Sequence, residues 1–132
     1  MTRRLLAAAL LVIAMALAGA PAAAAHAVRT ASDPADGATL TTGPARVTAT
    51  FNEQLQSAFA AMTVVGPDGN LWSSGPPEVQ GATVGVGLRP LGPAGRYTVN
   101  YRMTSADGHV VSGAWSFTVS VAGGGTPGPS AA

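Results

Sequence analysis

Residues 96–121 read RYTVNYRMTSADGHVVSGAWSFTVSV, and this stretch decides the fold. In its first half Tyr97, Val99, Tyr101 and Met103 share one face of an extended chain, and Thr98, Asn100, Arg102 and Thr104 share the other. The second half alternates in the same way, with Val111, Trp115, Phe117, Val119 and Val121 set against Ser112, Ser116 and Thr118. A period of two with one apolar face marks half-buried strands. Between the halves stands Asp107-Gly108, a residue pair suited to the positive backbone angles of a tight hairpin. A hairpin of this kind needs a second layer to cover its apolar face.

Outward from this hairpin the same signature recurs. From residue 28 onward no segment keeps a helical period. Short alternating runs are expected as strands at roughly 28–31, 46–52, 59–66, 70–73 and 82–88, besides 96–104 and 110–121. Val47, Ala49 and Phe51 alternate as a further core face. The breakers are Asp33-Pro34 through Gly37, Thr42-Gly43-Pro44, Gly66 through Gly69, Gly75-Pro76-Pro77 and Leu91 through Gly95. About seven short strands at this spacing predict an all-β protein, an antiparallel sandwich or barrel. Residues 122–132 are rich in Gly and Pro and are expected to form a flexible linker-like tail that buries nothing. There is no internal repeat.

The first 25 residues have a different character. Met1-Thr-Arg-Arg4 is a positive start, Leu5 to Ala18 is apolar, and Pro21 to Ala25 is a run of small residues. This is the layout of a secretory signal peptide, expected at 1–25. The apolar run is short of the ~20 residues a membrane-spanning helix needs, so no membrane insertion is expected after cleavage. The chain has no cysteine, which excludes a lipid anchor at this point, disulfides and thiolate metal sites. Arg3-Arg4 leaves the choice between the general and twin-arginine export routes open. Export places the protein in the periplasm or the space around the cell envelope.

Cleavage removes two of the seven arginines and none of the six acids, so five arginines face six acids and the mature chain carries a net charge of −1. The pI of 8.4 belongs to the precursor. The remaining arginines, 29, 46, 89, 96 and 102, are scattered, and there is no lysine. Nucleic acid and anionic membranes both call for a basic patch, so neither is an expected partner.

The only histidines are His26 and His109. Cleavage after Ala25 makes His26 the first residue, whose α-amine and Nδ1 can chelate one ion. Cleavage after Ala27 would discard it. In Ser105-Ala-Asp-Gly-His109, Asp107 has a sufficient role in the turn, and His109 reads equally as a solvated side chain. If Asp107 and His109 converge with His26, they supply three nitrogens and one oxygen. That set suits copper(II) in a tetragonal plane better than zinc in a tetrahedron.

The combination of His26-Ala, Ser32-Asp-Pro-Ala-Asp-Gly37, Phe51-Asn-Glu53, Gly95-Arg-Tyr-Thr-Val99, Ser105-Ala-Asp-Gly-His109 and Gly113-Ala-Trp-Ser-Phe117 resembles the CopC family of exported copper-resistance proteins. The resemblance covers about 26–121. It implies a Greek-key β-sandwich related to the cupredoxin and immunoglobulin-like folds. It also implies a single copper(II) held by His26 through amine and ring, by Asp107 and by His109. Glu53 falls where the family has a glutamate that acts behind the ligands or as a weak axial one, and reads equally as a solvated strand-end acid. Some members carry a methionine-rich copper(I) site. Here Met62 and Met103 both alternate in phase with core residues, so copper(II) alone is expected.

The resemblance also implies a carrier or buffer in copper resistance or homeostasis. A CopD-like membrane copper transporter is then a partner, and the chain a monomer rather than an enzyme. Two other readings stand beside it. A histidine-brace copper oxygenase would need an open equatorial position and a broad substrate surface, for which only Trp72 offers an exposed aromatic. A metal-free immunoglobulin-like interaction module would tolerate loss of both histidines. No nucleophile elbow for serine hydrolysis is present.

Overall fold

The computed structural model describes residues 2–18 and 27–132, with side chains for 2–12 and 27–132. At the N-terminal helix, α1 (Thr2–Ala18), Leu5, Leu6, Leu10, Leu11 and Val12 are all exposed. Among the described residues no helix is long and apolar enough to cross a membrane. His26 and the candidate cleavage point after Ala25 lie outside the described residues.

The hairpin forms as its alternation requires. β7 (Gly95–Thr104) pairs with β8 (Val110–Val119) in one unbroken antiparallel register, from Gly95 opposite Val119 to Thr104 opposite Val110. Six further strands are β1 (Arg29–Asp33), β2 (Thr39–Leu40), β3 (Arg46–Phe51), β4 (Ala61–Val65), β5 (Ser73–Gln80) and β6 (Thr83–Leu88). They form two four-stranded sheets, ordered β1-β3-β6-β5 and β2-β8-β7-β4. The apolar faces meet between them. Val47, Ala49 and Phe51 come from β3, Met62 and Val64 from β4, Val84 and Val86 from β6, and Tyr97, Val99, Met103, Trp115, Phe117 and Val119 from the hairpin. Burying each such side chain contributes about 1.5–3 kcal/mol relative to exposure, which makes this layer the main source of stability. Tyr97 stacks on Phe117 at 5.6 Å between ring centroids and donates its hydroxyl to the Pro93 carbonyl at 2.7 Å. Both mature methionines are core residues, as their phase predicts.

The structure corrects the expected strand list in several places. There are eight strands rather than about seven, because β2 adds a two-residue pair. It runs parallel to β8, so the second sheet is mixed rather than purely antiparallel. The expected strand at 70–73 is only a pair of isolated bridges, and β5 instead runs through Gly75-Pro76-Pro77. Proline removes a ladder donor, yet β5 is an edge strand and its register shifts between Ser74 and Glu78, so the prolines sit where no donor is needed. Trp72 is 0% exposed rather than a surface aromatic: its indole donates to Asp68 Oδ1 at 2.9 Å and meets Tyr97 edge-on. Val121 is 59% exposed because the strand has already ended at Val119.

The tail also departs from expectation. Gly123 and Gly125 donate to the Gly92 and Leu91 carbonyls, Gly128 N donates to Leu71 O, and Leu71 N donates to Pro129 O. The tail's main chain supplies an edge to residues 69–71 and 91–92, and its glycines permit that close approach. A Cβ on Gly125 would overlap the Pro90 carbonyl oxygen.

Candidate metal centre

Four pieces of chain gather at one end of the sandwich: the chain entering β1, the β3–β4 connection, the β5–β6 turn and the β7–β8 loop. Ala27 is buried in the core. Val28 donates to Asn52 Oδ1 at 2.7 Å, and its carbonyl accepts from the Asn52 amide at 3.0 Å. Two residues further, Gln54 O accepts from Ala106 N at 2.9 Å, and Gln56 N donates to Thr104 O at 2.9 Å. Leu55 N donates to Gly81 O at 2.9 Å. Segment 52–56 thus ties the entry of the chain to the 105–109 loop.

The loop itself is built from its own polar groups. Gly108 adopts φ 89, a left-handed conformation that favours glycine and lets the chain reverse in so few residues. Ser105 N donates to His109 O at 2.8 Å, and Gly108 N donates to Ser105 O at 2.9 Å. Asp107 Oδ1 accepts the Ser105 hydroxyl and, at 3.2 Å, the His109 amide. Its Oδ2 lies 2.9 Å from His109 Nδ1. The Ser105 hydroxyl first, and the His109 ring next, hold the Asp107 carboxyl down to about 2 from its ordinary value. Asp107 is therefore a carboxylate at any physiological pH.

Two of the sequence-derived site residues, Asp107 and His109, are brought together directly. His26 lies outside the described residues. Glu53 stands on the connecting segment between Asn52 and Gln54 and is half-buried. Among the described residues no third His, Asp or Glu joins Asp107 and His109 in a cluster able to hold a metal ion. Sequence reasoning passed over Ser105, Gln56 and Asn52, which organise this end. The Ser-x-Asp-x-His spacing around a glycine was the available signal, since short polar side chains at that spacing bond back to the turn.

The CopC domain sequence model matches residues 29–120. Protein YobA of Escherichia coli strain K12 is 30% identical over 102 residues, covering 75% of this chain and 82% of that one, and Protein YobA of Shigella flexneri matches equally. Among solved structures, CopC from Methylosinus trichosporium OB3b aligns with a TM-score of 0.67 at 22% identity, covering 75% of this chain and 98% of its own. PcoC, a methionine-rich copper resistance protein from Escherichia coli, aligns with a TM-score of 0.59 at 24% identity, covering 72% and 99%. At these identities the structural likeness speaks for the shared sandwich.

Proposed function

The chain belongs to the CopC family, and from that premise we propose that it is an exported carrier or buffer for one copper(II) ion in copper resistance or homeostasis. The observation that carries the reading is the Asp107–His109 pair, a carboxylate and an imidazole held 2.9 Å apart at the end of the sandwich where the chain enters from residue 27. His26 is one residue before buried Ala27, and two residues reach at most about 7 Å from Val28. This short tether supports a His26 amine and ring reaching the pair. The burial of Ala27 supports cleavage after Ala25, because cleavage after Ala27 would remove a core side chain as well as the histidine.

Copper(II) prefers nitrogen donors in a plane, and this donor set provides the His26 amine, its imidazole and the His109 imidazole, with Asp107 as the oxygen. Oδ1 is held by Ser105 and the His109 amide, so Oδ2, which faces His109 Nδ1 at 2.9 Å, is the oxygen that would turn to copper. Glu53 adds negative charge to this end rather than a ligand. Met62 and Met103 are closed inside the core, which supports a copper(II) site without a thioether copper(I) site. With Trp72 buried, the exposed large aromatic among the described residues is Phe59, and a single ring rather than an aromatic strip favours the carrier over the enzyme. The leader and the family support a periplasmic or envelope location. A CopD-like membrane protein would meet the copper at this end, beside exposed Val28 and Val110.

Intact mass of the exported protein, followed by native mass spectrometry with copper(II), tests the proposal. A chain starting at His26 that takes one ion, and that loses it in His109→Ala, is the expected result. A chain starting at Val28, or one without stoichiometric copper, contradicts it.

A further inference from the structure

β1 and β3 pair as far as Arg29 opposite Phe51, where β3 ends. The next pair across is Val28 and Asn52, and half of it is ordinary ladder: the Asn52 amide donates to the Val28 carbonyl at 3.0 Å. The other half is not. The Val28 amide donates at 2.7 Å to the Asn52 side chain, at Oδ1. Short amide and carboxylate side chains imitate a main-chain acceptor in this way where regular structure stops. Asn52 thus holds both polar groups of Val28, one with its main chain and one with its side chain.

This clamp lies where the chain enters the sandwich. Ala27 is buried in the core, and the Arg29 guanidinium carbon lies 5.0 Å from the Trp115 ring centroid and 5.7 Å from that of Tyr101. Val28, between them, is exposed, so its main-chain bonds rather than its side chain hold it. Further along the same segment, Gln54 O receives the Ala106 amide, and Gln56 donates to Thr104 O and Ser105 O. One short segment therefore grips both the chain entry and the loop that carries Asp107 and His109. A chain end that must be ordered as its ligand binds weakens binding, and ordering it beforehand strengthens binding.

We propose that Asn52 is a positioning residue of the copper centre: through its side-chain oxygen it holds Val28, and so presents the mature N-terminus two residues upstream to Asp107 and His109. The purpose of the clamp rests on the copper(II) reading above, whereas its geometry does not. Asn52 is exposed, and among the described residues its side chain bonds Val28 alone. Asn52→Ala therefore removes one surface bond and leaves the fold in place.

The test uses the exported mature chain as native, N52A and N52D proteins, each with its α-amine free or acetylated. Amide exchange of the copper-free chains reads the clamp. Val28 is expected to exchange about threefold to tenfold faster in N52A, and to return to native protection in N52D, which keeps the acceptor oxygen. Titration with copper(II) reads the purpose. N52A is expected to bind about threefold to tenfold more weakly with the amine free. That loss is expected to shrink when the amine is acetylated, because the clamp then positions one terminal ligand fewer. Equal losses in both forms would be those of a general loosening and would overturn the proposal, as would native exchange at Val28 or native affinity in N52A. A chain that shows the expected exchange pattern but takes no copper would contradict the copper reading and confirm the clamp on its own.

Discussion

Asp107 keeps its negative charge far into acid because the Ser105 hydroxyl and the His109 ring and amide all donate to it. A carboxyl whose folded value lies below its unfolded one stabilises the folded state above the unfolded value, and that contribution disappears as pH falls through the folded value. For Asp107 the window runs from the ordinary 3.8 down to about 2. The side chain is exposed enough that the effect is small. Thermal melts are expected to fall more steeply across this acid window in the native protein than in Asp107→Asn, and parallel slopes would contradict the assignment. The same low value has a consequence for copper. Amines and imidazoles as classes take up protons between about pH 8 and pH 6, well above the Asp107 window. Copper is therefore expected to be lost through the nitrogens, with Asp107→Asn lowering the affinity by the same factor at every pH and leaving the shape of log affinity against pH unchanged in copper(II) titrations.

At the scale of elements, local pattern was a good guide where one face is apolar and a poor one elsewhere. The hairpin of β7 and β8 was legible because Tyr97, Val99 and Met103 on one side and Trp115, Phe117 and Val119 on the other must be buried together. β2 was not, since two residues carry no period and their partners in β8 lie 79 residues further along. β5 was hidden by Gly75-Pro76-Pro77, which break a central strand but not a bulged edge. The attachment of the tail was hidden for a related reason. It buries few side chains, and its attachment is main chain to main chain, which composition cannot reveal. Gly125→Ala places a Cβ against the Pro90 carbonyl oxygen. The overpacking is expected to cost about 1–3 kcal/mol in urea unfolding and to speed amide exchange at Leu71 and Gly123. Native stability and native protection at both amides would show that the tail does not hold these strands.

Across the whole molecule, the proposed site joins the processed N-terminus to the 105–109 loop, and each part was legible to a different degree. Asp107 and His109 are two residues apart, so their meeting at a hairpin tip could be read directly. Their connection to the chain entry runs through Asn52, Gln54 and Gln56, whose main-chain and amide bonds depend on how β1, β3 and β7 lie across the two sheets. No local pattern encodes that. Ser105 appeared in the motif, but its role depends on its complete burial and on the turn that folds Asp107 back over it. The central claim is that copper(II) sits between the processed N-terminus and this loop. The most direct test is the EPR spectrum of the exported mature chain with one equivalent of copper(II). The account predicts a single tetragonal signal with nitrogen hyperfine structure that changes both when His109 is replaced by alanine and when the α-amine is blocked. A spectrum indifferent to either change would place the copper elsewhere and contradict the account.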